Sequence, residues 1–129
     1  MTSVVRFAIV AGAILGGVSV AGGAFGAHGL KAVLEATGQA GNWETAARYG
    51  LFHALAMVAV GLLAAVRPDA SGLATAAWCF LVGTLIFSGC LAALALTGVK
   101  LLGAIVPIGG VLLIAGWARL ALAAARLAG

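Results

Sequence analysis

Four stretches of this chain are each apolar over about 20 residues, the length an α-helix needs to cross a bilayer at ~1.5 Å per residue. They run from Val4 to Ala27, Trp43 to Val66, Leu73 to Leu96 and Leu101 to Ala118. Inside lipid every backbone N–H and C=O must find its partner within the protein, and a single apolar segment can do that only as a helix. The expected fold is therefore all-α: a polytopic membrane protein, one four-transmembrane-helix bundle forming a single membrane domain over residues 1–129. Composition excludes the soluble alternative. Only 8% of residues are charged and 64% are hydrophobic, with a mean hydropathy of +1.24. Too few polar side chains remain to cover a water-facing surface. Ala24-Phe25-Gly26 is small at both positions that a signal peptidase reads. The first stretch nevertheless far exceeds a signal peptide's apolar region of about 7–15 residues, so it is expected to be a retained spanning helix.

The breaks have local causes. "RPDASG" (Arg67 to Gly72) combines a proline with turn formers and both charge signs, and "TGVK" (Thr97 to Lys100) supplies a glycine to end a helix. Short connections make the second, third and fourth spans antiparallel neighbours. The first connection, His28 to Asn42, is longer. Its "HGLKAVLEA" sets Leu30, Val33 and Leu34 on one face, so residues 28–36 are expected to form a short amphipathic helix at the interface between the first two spans. Asn42 is the expected N-cap of the second span. Residues 119–128, with Arg119 and Arg126, are expected to lie along the interface after the fourth.

Seven basic and three acidic residues leave a net charge of +4, scattered singly. With no basic run and no aromatic–basic interleaving, nucleic acid is excluded as a partner, and membrane lipids are the expected one. Arg6, Arg67, Arg119 and Arg126 fall on the side of the termini, against Lys31, Arg48 and Lys100 opposite; on this four-to-three count both termini are expected in the cytoplasm. Trp43, Trp78 and Trp117 fall near helix ends, as an aromatic belt would place them. Cys79 and Cys90 would stand about 16 Å apart on one helix, beyond disulfide reach.

Helices in lipid associate largely through close approach at small residues. Gly12 and Gly16, and Gly22 and Gly26, are spaced four apart on the first span, while Gly103, Gly109, Gly110 and Gly116 serve the fourth, with Pro107 as a kink. His28, Lys31 and Trp43 are candidate interfacial or lipid contacts, with His28 able to cap the first span through its imidazole. The second span holds the candidate functional polar cluster. Glu44 and Arg48 stand at i,i+4 with the acid first, a favourable pairing. Tyr49, His53 and Met57 form a stripe, and Ser88 on the third span completes the cluster. His53 lies deep enough that it must face protein or water. Two readings of it remain open: a structural hydrogen bond, with Thr84 or Ser88 as partner, or a functional group. No catalytic set, metal-ligand spacing or cofactor motif is present, so none of these is expected.

"GAFGAHGL" (Gly23 to Leu30), "YGLFHALA" (Tyr49 to Ala56), "GTLIFSGCLAALAL" (Gly83 to Leu96) and "PIGGVLLIAGW" (Pro107 to Trp117) occur in that order. The set resembles the YgdD-like family, domain of unknown function 423, related to transmembrane protein 256. The resemblance implies a small multi-pass protein of the bacterial inner (plasma) membrane, with no assigned activity. It marks Gly23, Phe25, Gly26, His28, Tyr49, His53, Ser88, Gly89, Pro107, Gly109, Gly110 and Trp117 as signature positions without roles. The expected function is non-enzymatic: an accessory, scaffold or lipid-interacting protein packing through small-residue faces, as a homo-oligomer or a subunit of a larger membrane complex. The alternative is an oligomeric proton, ion or small-solute pathway lined by Tyr49, His53 and Ser88.

Overall fold

Apolar side chains all around each long segment, with backbone bonds closed internally, produce helices buried in lipid on one side and in protein on the other. The computed structural model describes residues 3–128; Met1, Thr2 and Gly129, counted in the single domain, lie outside the described residues. It contains α1 (Ser3–Ala27), α2 (Lys31–Ala36), α3 (Ala40–Val66), α4 (Leu73–Thr97) and α5 (Lys100–Ala125), with no strand among the described residues. All but α2 are long and apolar enough to span a membrane.

The ends follow backbone chemistry. Phe25 O accepts from the backbone N–H groups of Leu30 (2.8 Å) and His28 (3.3 Å), which closes α1. The imidazole of His28, expected to cap that end, is exposed and makes no hydrogen bond there. In α2 Leu34 is buried, but Val33, expected beside it, is exposed. Asn42 is not the N-cap of α3. That helix starts at Ala40, and Asn42 sits in its first turn, donating from Nδ2 to Gln39 Oε1 at 2.9 Å.

Gly98 ends α4 in the left-handed region (φ +71°), its N–H bonded to Leu94 O at 2.8 Å, as the "TGVK" signal requires. α5 continues without interruption past Ala118, where the apolar span ends in the sequence: residues 119–125 contain only helix formers, and Ala123 is buried. It also runs through Pro107, whose ring removes one backbone donor.

α1 packs along α3, α3 along α4 and α4 along α5, all antiparallel, with α2 between the ends of α1 and α3. Four antiparallel helices bring Ser3 and Ala128, the first and last described residues, to one end of the bundle, beside the α3–α4 turn. Arg67 there holds Asp69 with two hydrogen bonds (2.9 and 2.7 Å) and Ala128 O with a third (3.1 Å). The bond from Arg67 holds the Asp69 carboxyl below its usual range, and Asp69 raises Arg67.

The core lies towards this terminal end: Val5 and Ala8 of α1, Met57 and Val60 of α3, Ala76, Ala77 and Phe80 of α4, Leu113 and Ala123 of α5. Phe7 and Trp78 stack at 4.5 Å across α1 and α4. A close backbone contact joins α4 and α5. A Cβ on Gly109 would strike the Phe87 backbone and lie 2.8 Å from Gly83 O. Gly12 meets Ala54 O in the same way at 2.9 Å, and Gly26 lies under the Trp43 indole, whereas Gly16 and Gly110 have only ordinary contacts. Gly22 corrects the expectation of a packing face: nothing stands within 4 Å of where its side chain would be.

Candidate functional site

The expected polar cluster does not stay together: Tyr49 and His53 line a cleft on one side of α3, Ser88 lines a cleft on the other, and Glu44 and Arg48 lie outside both. Glu44 and Arg48 do pair, one turn apart, but both are exposed at the α2 end, where such a pair contributes little. Tyr49 stacks on Phe87 at 5.0 Å. His53, 5% exposed, uses both ring nitrogens. Its Nδ1 is 2.7 Å from Tyr49 O, and its Nε2 is 3.0 Å from Trp117 Nε1 on α5. An indole N–H can only donate, so Nε2 accepts and the ring proton sits on Nδ1, donating to Tyr49 O. The geometry thereby selects the neutral Nδ1–H tautomer. The partner is Trp117, not Thr84 or Ser88 as expected, and Trp117 turns its polar edge into the protein. Phe80 meets Trp117 edge-on at 5.0 Å and His53 at 5.7 Å. Around this latch lies an open cleft of about 680 Å³ between α3 and α5, lined by Tyr49, Phe52, His53, Phe87, Ile114 and Trp117.

Ser88 faces the opposite side. It lines a cleft of about 220 Å³ between α1 and α4, floored by Ala46, Ala47 and Gly50 of α3. Thr84 and Ser19, neither of them in the expected cluster, line it too. Thr84 Oγ1 and Ser88 Oγ are buried and have no hydrogen-bond partner. A methyl on Gly50 would run into Ser19 Oγ and lie 3.9 Å from Ser88 Oγ, so the glycine leaves room for hydroxyls from two helices. At the α2 end Trp43 bounds the cleft, its Nε1–H donating to Gly22 O at 2.8 Å. Gly22 thus works through its carbonyl. The other walls are apolar, including Val18 and Leu85, which are exposed along the sides.

Lys31 and His28 are exposed near α2, where Lys31, Glu35 and Glu44 line a further recess with Trp43. Among the described residues no three His, Cys, Asp or Glu side chains gather as metal ligands, and both cysteines are free and half-buried.

Fold and clefts define a small multi-pass helical membrane protein with a few polar side chains, His53, Thr84 and Ser88, buried between its helices. The family model described as "Protein of unknown function (DUF423)" matches residues 22–110, and the chain belongs to that family. A UPF0382 membrane protein of Haemophilus influenzae is 43% identical over 82 residues, 63% of each chain. The UPF0382 membrane protein YwdK of Bacillus subtilis is 37% identical over 83 residues, 64% of this chain and 67% of that one. A third UPF0382 membrane protein, from Staphylococcus haemolyticus, is 38% identical over 83 residues, 64% of this chain and 66% of its own. The match thus spans less than two thirds of the Haemophilus relative's length. No solved structure matches.

Proposed function

We propose that this is a non-enzymatic, lipid-interacting accessory or scaffold protein of the bacterial inner membrane, with both termini cytoplasmic. It works by holding lipid-soluble molecules and neighbouring helices against α3, as a homo-oligomer or within a larger membrane complex. One observation carries the reading. The 220 Å³ cleft between α1 and α4 lies between exposed apolar side chains and holds buried hydroxyls without partners. Gentle extraction followed by native mass spectrometry tests it. Retained lipid, or a defined oligomer or complex, is expected. A bare monomer with neither lipid nor partner contradicts it. A C-terminal reporter fusion that is active only outside the cytoplasm would reverse the orientation.

The pathway alternative has less support, because Tyr49 and His53 line one cleft and Ser88 the other. His53 also has both nitrogens engaged, so a proton on Nε2 would set two donors face to face. Liposome flux that falls on His53→Ala would reinstate it.

A further inference from the structure

Charged side chains are few in this protein, and among the described residues the ion pairs are Glu44–Arg48 and Arg67–Asp69. Lys31 and Glu35 stand one turn apart on α2 with the base first, the less favourable order, and no ion pair joins them. Both line the recess of about 430 Å³ that α2 forms with the facing ends of α1 and α3. Glu44 lines it too, and Arg48 engages only its Oε1, so the carboxylate retains room to accept. Trp43 is a fixed wall: its indole covers Gly26, and its N–H already donates to Gly22 O. The recess lies where the spanning helix α1 ends and α3 begins, the level of the phospholipid headgroups, where charged side chains are tolerated and meet lipid charges.

The set of charges restricts what can sit there. An anionic headgroup would satisfy Lys31 but face two carboxylates. A simple cation would leave Lys31 unmet. A zwitterion carrying a phosphate and an ammonium answers both signs. Between the common zwitterions, choline has no N–H to donate and is held by cages of aromatic faces, whereas this recess has a single indole. A primary ammonium brings three N–H donors, which carboxylates accept in charge-assisted bonds.

Resting on the lipid-interacting reading above, we propose that this recess binds the headgroup of phosphatidylethanolamine. Lys31 holds the phosphate, Glu35 and Glu44 accept from the primary ammonium, and the acyl chains stay in the bilayer beside the spans.

The test is native mass spectrometry of the full chain in detergent with an equimolar mixture of dioleoyl lipids. The mixture holds phosphatidylethanolamine, its N-methyl and N,N-dimethyl derivatives, phosphatidylcholine and phosphatidylglycerol. Bound lipid should fall stepwise as methyls replace N–H groups, by about fivefold from phosphatidylethanolamine to phosphatidylcholine, the upper range for charge pairs this exposed. Phosphatidylglycerol should bind no better than phosphatidylcholine. Glu35→Gln should cut the preference to below about twofold by removing one charged acceptor. Lys100→Gln, at the same end of the bundle but outside the recess, should leave it unchanged. Equal binding across the methyl series, a preference for phosphatidylglycerol, or a preference that survives Glu35→Gln or vanishes in Lys100→Gln would each overturn the proposal. Should the Glu35 variant fail to fold, the methyl series on the unmodified chain still decides. Glycerophosphoethanolamine, which has the headgroup without acyl chains, should not displace the lipid when in excess; displacement would make the ligand a soluble one and overturn the lipid assignment. Bound lipid without headgroup preference would defeat this proposal alone, whereas no bound lipid of any kind would also defeat the lipid-interacting reading.

Discussion

The two halves of this molecule use the same four helices differently. Towards the terminal end, α1 and α4 are closed over α3: Phe7 stacks on Trp78, and Val5 and Ala8 share a core with Ala76, Ala77 and Phe80. Towards the α2 end the same two helices leave a cleft, with Gly22 and Gly89 facing open space and hydroxyls on the walls. In water such a gap would expose apolar surface and collapse. In a membrane lipid tails fill it at little cost, because no hydrophobic force draws helices together. The closed half can therefore carry stability, leaving the open half free to bind.

The largest test of that division is Phe80→Ala, which empties a fully buried site against Trp117 and His53. It should cost about 3–5 kcal/mol in reversible denaturant unfolding in mixed micelles. A loss below about 1 kcal/mol would mean that the closed half is not where stability resides.

Glycine substitutions sharpen the contrast. Gly109→Ala drives a methyl into the backbone of α4 and should cost about 1–3 kcal/mol. Gly22→Ala and Gly89→Ala meet nothing within 4 Å, so they should be neutral or stabilising by up to about 1 kcal/mol through helix propensity. Equal losses at all three sites would break the comparison.

Trp117→Phe keeps an aromatic ring but removes part of the indole, including the donor to His53 Nε2. About 1 kcal/mol should be lost, in keeping with hydrogen bonds between membrane helices. His53→Ala in that background should then cost less than it does alone, because the pair acts as a unit.

The smallest effect belongs to the terminal turn. The folded Asp69 carboxyl sits below its usual range because Arg67 donates to it, so its contribution is complete above about pH 4 and is lost as the pH falls through the lowered folded value. Asp69 is exposed and Arg67 half-buried at the surface. Asp69→Asn should leave the thermal midpoint at neutral pH within scatter of the parent protein.

The four long helices are legible because length and apolarity alone require them. The helical course of residues 119–125 is less so, because Arg119 interrupts the apolar run without breaking the helix. The Glu44–Arg48 pair was legible because it is local to one helix. The His53 partner was not. Trp117 lies 64 residues away, and a tryptophan near a helix end reads as a belt residue until the packing of α5 on α4 turns its N–H inward. The cleft was legible only through Ser88. Ser19 and Gly50 look like ordinary small residues, and only the meeting of α1, α3 and α4 gives them a shared role.

The measurement that bears most directly on this account is nuclear Overhauser contact between lipid acyl chains and alanine methyls of the unmodified protein in nanodiscs. Strong contacts at Ala47 and Ala92, with none at Ala8, Ala76 and Ala77, are predicted. Equal protection of both sets would show that α1 and α4 are closed along their whole length, and would contradict the open half and the function proposed for it.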